Sequence, residues 1–316
     1  MSLRYASCDW GTSSFRIRMV EDGVSKSEIN WPFGIRSIHD SVSNECDRDS
    51  KFADFLKRGL SALGFGDMPI VLSGMASSTI GWRELRYAKV PLELDGSNLV
   101  HERLSLENGT PVFLISGACT NSDIMRGEET EVIGILNHED YCQYANGCLL
   151  LLPGTHSKHL VIDNYRVIGW RTFMTGELFE ALTTATILKQ TTSTESEGTD
   201  EDFLTGVDGG FATGMESGLF RARVRSVLDG APNESNCAFL SGLLIGSELS
   251  HLSHAAQDKP LLVAGPPGLT GRYQLAITQT GAFPSVVTVD LPEGAAMHGH
   301  SFLLPRWLDE GESPLA

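Results

Sequence analysis

Cys148-Leu149-Leu150-Leu151-Leu152 runs into Pro153-Gly154-Thr155-His156-Ser157-Lys158 and returns through His159-Leu160-Val161-Ile162. The first run reads as a buried strand, the middle as a glycine turn and the last as a returning strand. The chain begins the same way: Tyr5-Ala6-Ser7-Cys8, then Asp9-Trp10-Gly11-Thr12-Ser13-Ser14, then Phe15-Arg16-Ile17-Arg18-Met19-Val20. Phe15, Ile17 and Met19 alternate with arginines, as in a sheet with one buried face. Two distant copies of strand, Gly-Thr turn and strand predict a duplicated α/β chain of two βββαβα-type domains. A tight glycine turn exposes backbone N–H groups, and flanking hydroxyls add donors, so each turn is suited to phosphate oxygens. Gly11, Thr12, Ser13 and Ser14 form the first such set; Gly154, Thr155 and Lys158 form the second. Asp9, at the head of the first turn, stands where an acid orients magnesium directly or through water.

Outward from these turns, residues 50–63 place Phe52, Phe55, Leu56, Leu60 and Leu63 on one helical stripe. Short strands follow at 69–72, ending in Ser73-Gly74-Met75-Ala76-Ser77-Ser78, and at 112–115. Residues 128–136 suit a helix preceded by Arg126-Gly127. In the second half, 176–189 read as a helix, 191–202 as a polar surface loop, and 237–255 as a helix. Gly242, Gly246 and Ser250 repeat along that last helix at the spacing of close helix packing. The strand 261–264 breaks into Gly265-Pro266-Pro267-Gly268-Leu269-Thr270-Gly271, where missing Cβ atoms let a flat ligand approach the backbone. Two phosphate turns and a strand-to-helix glycine loop together describe a cleft that clamps a triphosphate and seats adenine on the second lobe.

Composition narrows the partners. The chain has 316 residues, enough for two domains, with 41% hydrophobic and 20% charged residues. Its formal charge of −16 argues against nucleic acid and against an anionic membrane. The longest apolar runs are far short of a membrane span, and the start leads directly into a strand, leaving no room for a signal peptide. The six cysteines contain no CxxC pair and read as reduced core thiols of a cytoplasmic protein. No zinc-like spacing, GxxxxGK[ST] loop or GxGxxG fingerprint is present.

These motifs resemble the superfamily of sugar kinases, actin and heat-shock chaperones. Residues 9–13 look like its first phosphate motif, Gly154-Thr155-His156 its second, and Gly265 to Gly271 its adenosine motif. Gly265-Pro266-Pro267-Gly268 departs from the usual double glycine and leaves the adenine contacts open. Gly74-Met75-Ala76-Ser77-Ser78 with Gly81-Trp82, Met125-Arg126-Gly127-Glu128-Glu129-Thr130, the 153–158 turn and Arg171-Thr172-Phe173-Met174-Thr175-Gly176-Glu177-Leu178 resemble the 2-dehydro-3-deoxygalactonokinases more closely. So does Phe239-Leu240-Ser241-Gly242-Leu243-Leu244-Ile245-Gly246. The resemblance spans essentially the whole chain. It implies a two-lobed actin-like ATPase (ribonuclease H-like) fold, with the lobes at 1–140 and 141–316 around a nucleotide cleft. It also implies transfer of phosphate from ATP, with Mg2+, to the 6-hydroxyl of 2-dehydro-3-deoxy-D-galactonate.

The resemblance also assigns roles. Glu128 holds the place of the catalytic base, a one-residue slip would select Glu129, and Asp9 holds magnesium. Arg126 and Arg171 are candidate forks for the substrate carboxylate. Trp10, Ser77, Ser78, Trp82, His156 and Thr175 complete the expected sugar-acid site, and Gly265, Pro266 and Gly268 the adenosine site. One epimeric hydroxyl separates galactonate from gluconate derivatives, so a kinase for the gluconate epimer shares this pattern. An exopolyphosphatase-like phosphohydrolase shares the first turn and a Gly-Glu-Glu block, and a nucleotide-gated binding module is the non-enzyme reading. The partners are thus small molecules, and a homo-oligomer is allowed.

Overall fold

The computed structural model describes residues 3–64, 68–195, 198–253 and 259–309. Alternation in the first 31 residues builds an antiparallel meander of β1 (Arg4–Trp10), β2 (Phe15–Glu21) and β3 (Val24–Trp31). Trp10 stands opposite Phe15, so Gly11 to Ser14 close the first turn. Two helices follow, α1 (Ile35–His39) and α2 (Glu45–Ala62). The second begins before the predicted residue 50 because the Asn44 side chain accepts the Asp47 N–H and caps an earlier turn. Ile35, Phe52 and Leu56 pack with Trp10, Phe15 and Ile17 in one core cluster. The chain re-enters the sheet as β4 (Ile70–Gly74), parallel to β1. Short strands β5 (Ala88–Lys89) and β6 (Leu92–Glu93) precede β7 (His101–Ser105) and β8 (Pro111–Ile115). The sheet order is β3-β2-β1-β4-β8-β7. Strands β9 (Ala118–Cys119) and β10 (Ile124–Met125) then lead to α3 (Glu128–Leu136).

The second half repeats the plan. β11 (Gly147–Leu152) and β12 (Ser157–Asp163) form the second hairpin, with Leu152 opposite Lys158, and β13 (Arg166–Phe173) follows. Helices α4 (Thr175–Ala185), α5 (Asp200–Thr213), α6 (Arg221–Asp229) and α7 (Asn233–Ser253) precede β14 (Leu261–Val263), α8 (Pro267–Thr280) and β15 (Val286–Thr288). The order β13-β12-β11-β14-β15 matches β3-β2-β1-β4-β8, with the same antiparallel and parallel pairings along the strands that carry the turns. The duplication expected from the two turns is therefore present in the sheets.

The predicted helix 176–189 is divided. Thr186 is extended and its hydroxyl accepts the Leu188 N–H, which ends α4 and starts a separate 3-10 turn at Ile187–Gln190. In the expected loop 191–202, Thr191 and Thr192 are buried with their hydroxyls on the Leu188 carbonyl. The close packing read from Gly242 and Gly246 has α5 as its partner. A Cβ on Gly242 would lie 1.9 Å from the Phe203 carbonyl oxygen. Residues 254 and 255 of that predicted helix lie outside the described residues.

The last helix, α9 (Ala295–Asp309), corrects the expected division at residue 140. One unit comprises the described residues of 3–146, 164–168 and 291–309; the other comprises those of 147–163 and 169–290. The reason is packing. A Cβ on Gly134 of α3 would meet the Ala295 carbonyl at 2.0 Å, and one on Gly299 would meet the Thr130 carbonyl at 2.2 Å, so α3 and α9 touch backbone to backbone. The reading of all six cysteines as core thiols also needs correction: Cys8, Cys148 and Cys237 are buried, Cys119 is half-buried and Cys142 is exposed. The side chain of Cys46 lies outside those described. Among the described residues no helix is long and apolar enough to cross a membrane.

Candidate active site

In the first unit the chemistry gathers between the β1–β2 turn and the start of α3. The Gly11 N–H donates to the Ser14 carbonyl at 2.9 Å, which closes the turn. The Ile35 and Arg36 N–H groups donate to the Gly11 and Thr12 carbonyls at 3.0 and 3.2 Å. Gly34 makes this approach possible, since a Cβ there would sit 2.4 Å from the Thr12 backbone. The turn is thus anchored through its carbonyls, and Ser13 and Ser14 remain exposed beside it.

Asp9 precedes the turn, and its carboxylate comes within 3.3 Å of the place a Cβ on Gly74 would occupy. Gly127 caps α3 with φ 111°, a left-handed conformation that favours glycine. Its N–H donates to both oxygens of Glu129 at 2.9 and 2.8 Å, while the Arg126 N–H donates to Glu128 at 2.9 Å. Glu129 is fully buried, whereas Glu128 is partly exposed. The two acids between which the sequence left a choice therefore differ in kind. Glu129 closes the helix cap, and Glu128 keeps solvent access.

Burial pushes the Asp9 carboxyl above the usual range, with Arg16 and Arg18 opposing and Glu128 reinforcing. Glu129 is pushed up to about 8 by burial and by Glu128. Glu131 is also pushed up to about 8, by burial and then by Asp9, Glu128 and Glu129. Sequence reasoning passed over Glu131. Its signal was available, since residues three apart share a helix face and Glu131 follows Glu128 by three. Glu128 opposes the ionisation of all three neighbours, and a hard cation bound here would favour their ionised forms. Among the described residues no three His, Cys, Asp or Glu side chains form a metal cage. Magnesium on a nucleotide phosphate needs only one or two carboxylates, the rest of its shell being water and phosphate oxygen.

Of the expected sugar-acid residues in this unit, the structure joins Arg126 and Ser77. Arg126 Nη1 donates to the Ser77 carbonyl at 2.7 Å and to its hydroxyl at 2.5 Å, and the guanidinium lies 4.3 Å from the Tyr87 ring centroid. The others are packed away. Trp10, at 0% exposure, is enclosed by Phe15, Phe52 and Phe55. Trp82 is buried with its indole N–H on Asp49, and the Ser78 hydroxyl donates to the Met75 carbonyl. Trp10 and Trp82 belong to the core cluster of this unit, and Ser78 is buried beside it.

The second unit contains a cavity of about 440 Å³. Pro153, Gly154 and Thr155 of the second turn form one side and the start of α4 another. Leu244 and Ile245 of α7, with Pro266, Leu269 and Tyr273 at the start of α8, supply an apolar floor. Cβ atoms on Gly154 and Gly268 would meet nothing within 4 Å, so neither glycine is demanded by protein packing. Gly265 instead abuts Pro153, where a Cβ would stand 3.2 Å from the ring. Gly176 lets α4 rest on the turn, because a Cβ there would meet Thr155 Cα at 2.7 Å.

Four expected site residues of this unit have defined surroundings. Lys158 is 4% exposed, and its ammonium donates to the His156 carbonyl at 3.3 Å, so its charge is held within the turn. The half-exposed His156 pairs with Glu177 at 2.5 Å. The Thr175 hydroxyl donates to Glu248 and lines the cavity with the second turn. Arg171 is exposed on β13.

Comparison with known proteins places the chain among its relatives. A sequence model of the 2-keto-3-deoxy-galactonokinase family matches residues 9–299. The 2-dehydro-3-deoxygalactonokinase of Escherichia coli K12 is 30% identical over 307 residues, covering 92% of this chain and 94% of the relative. The crystal structure of a candidate 2-dehydro-3-deoxygalactonokinase from Sinorhizobium meliloti superposes with TM-score 0.80 at 27% identity, covering 99% of this chain and 98% of the other. The Clostridium difficile activator of 2-hydroxyisocaproyl-CoA dehydratase, solved with bound ADPNP, has TM-score 0.51 at 9% identity, covering 99% of this chain and all of the other, and shares the fold alone.

Proposed function

The chain belongs to the 2-keto-3-deoxy-galactonokinase family, and from that premise we propose that it transfers the γ-phosphate of ATP to the 6-hydroxyl of 2-dehydro-3-deoxy-D-galactonate. The product is 2-dehydro-3-deoxy-6-phospho-D-galactonate, an intermediate of galactonate breakdown. The whole-length kinase match favours a sugar-acid acceptor over the water of a phosphohydrolase. One observation carries the assignment of chemistry. Glu128 is partly open beside Asp9 and Arg126, while Glu129 is locked on the Gly127 N–H.

In this reading Glu128 accepts the proton of the attacking hydroxyl, a role that requires a carboxylate within reach of the acceptor. Arg126, its guanidinium fixed by Ser77 and Tyr87, takes the substrate carboxylate. Asp9 would hold magnesium through water, and the ion would neutralise charge on the phosphates. The exposed first turn, Gly11 to Ser14, offers N–H and hydroxyl donors to phosphate oxygens. The cavity of the second unit takes the adenosine, with Gly154 and Gly268 open to close approach. Glu128→Gln should lower kcat by about a hundredfold or more with ADP affinity unchanged by calorimetry. Near-normal turnover in that variant removes Glu128 from the role.

A further inference from the structure

Glu248 is a buried acid in α7, a helix whose inward side is built largely of Leu240, Leu243, Leu244, Ile245, Leu249 and Leu252. Its side chain is 1% exposed, and it is absent from the lining of the cavity of the second unit. One oxygen accepts His159 Nε2–H at 2.7 Å. The other accepts the Thr175 hydroxyl and, at 2.6 Å, the Tyr273 hydroxyl. Tyr273 O lies 3.1 Å from the Ser157 hydroxyl, and that hydroxyl lies 3.3 Å from the Gly154 N–H.

The bonds at either end of this chain set the direction of those between them. A backbone N–H only donates and an ionised carboxylate only accepts. Gly154 therefore donates to Ser157, Ser157 to Tyr273, and Tyr273 to Glu248. Thr175 and His159 donate to the same carboxylate. Through these bonds Glu248 ties together the second turn, the start of α4 and the start of α8, which are the three elements that shape the cavity with α7.

We infer that Glu248 is a positioning residue for nucleotide binding: it sets the second phosphate turn against α4 and α8 without touching the ligand. This rests on the reading that the cavity takes the nucleotide of ATP. Removing its charge leaves one oxygen for three donors, and the turn loses its fixed placement.

The test uses Glu248→Gln, Ser157→Ala and the double variant in the full chain, with ADP affinity by calorimetry and steady-state kinetics. Neither side chain lines the cavity, so any change in affinity travels through the network. Each single variant should raise the Kd for ADP and the KM for ATP about three- to tenfold, with the sugar-acid KM within about twofold of wild type. The double variant should bind no more weakly than the weaker single variant, since both cut one chain of bonds. Folded single variants with wild-type ADP affinity, or losses that add in the double variant, overturn the inference; so does a lowered Tm with unchanged affinity. Leu244→Trp separates this from the underlying reading. It narrows the cavity at its apolar floor and should weaken ADP binding by about tenfold or more, and unchanged affinity in that variant overturns the cavity as the nucleotide site itself.

Discussion

Glu128, Glu129 and Glu131 lie within one turn of α3, yet their surroundings give them different work. Glu129 spends both oxygens on the Gly127 N–H. Glu131 is raised to about 8 chiefly by burial, with Asp9 the next cause. Glu131 thus binds a proton more tightly in the folded chain than at its ordinary 4.5. The stabilisation is complete below that value and is lost as pH rises through about 8. Glu129, raised in the same sense, adds to the loss over the same window. Thermal stability should therefore fall between those limits, and Glu131→Gln should raise Tm more at pH 8.5 than at pH 5. Melting curves of both proteins at the two pH values check this; an equal shift at both contradicts it. The difference between these acids was half legible in sequence. Glu128 and Glu129 stood out after Arg126-Gly127, but the backbone lock that separates them depends on the φ of Gly127, which neighbouring letters do not encode.

At the scale of elements, helices are placed by glycines that let backbones touch. Gly134 and Gly299 bring α3 and α9 together, and α3 carries Glu128. Gly134→Ala must push Ala295 and Gly299 aside, which costs about 1–3 kcal/mol of stability. It should also lower kcat, because the start of α3 moves with the helix. Denaturant unfolding together with turnover tests both, and an unperturbed Gly134→Ala protein would contradict the backbone contact. The Gly242 and Gly246 spacing announced a close contact along α7, and α5 supplies it. No such spacing announced the α3–α9 contact, whose glycines are 165 positions apart in sequence. The same limit hid Glu248. An acid among the leucines of α7 is a signal of a buried polar partner, but which turn and which helices it serves is a tertiary fact.

For the whole molecule, the paired turns gave the duplicated sheet plan directly, because each is a local hairpin read from alternation and glycine. The division of the chain was misjudged for the opposite reason. Assigning α9 to the first unit depends on packing across most of the chain's length. Trp10 and Trp82 belong to the blocks of the family resemblance and also to the core cluster of the first unit, a double membership that their position in the sequence does not reveal. The formal charge of −16 belongs to the whole chain, so the proposed binding of anionic ligands requires positive charge gathered locally, for which Arg126 and the N–H groups of the turns are the candidates. The central claim is sugar-acid-dependent phosphoryl transfer. Its most direct measurement is ADP release from ATP with 2-dehydro-3-deoxy-D-galactonate, with the gluconate epimer and with no acceptor. ADP release should require the galactonate derivative and be slower with its epimer; phosphate release at the same rate without any sugar acid would contradict sugar-acid-dependent transfer.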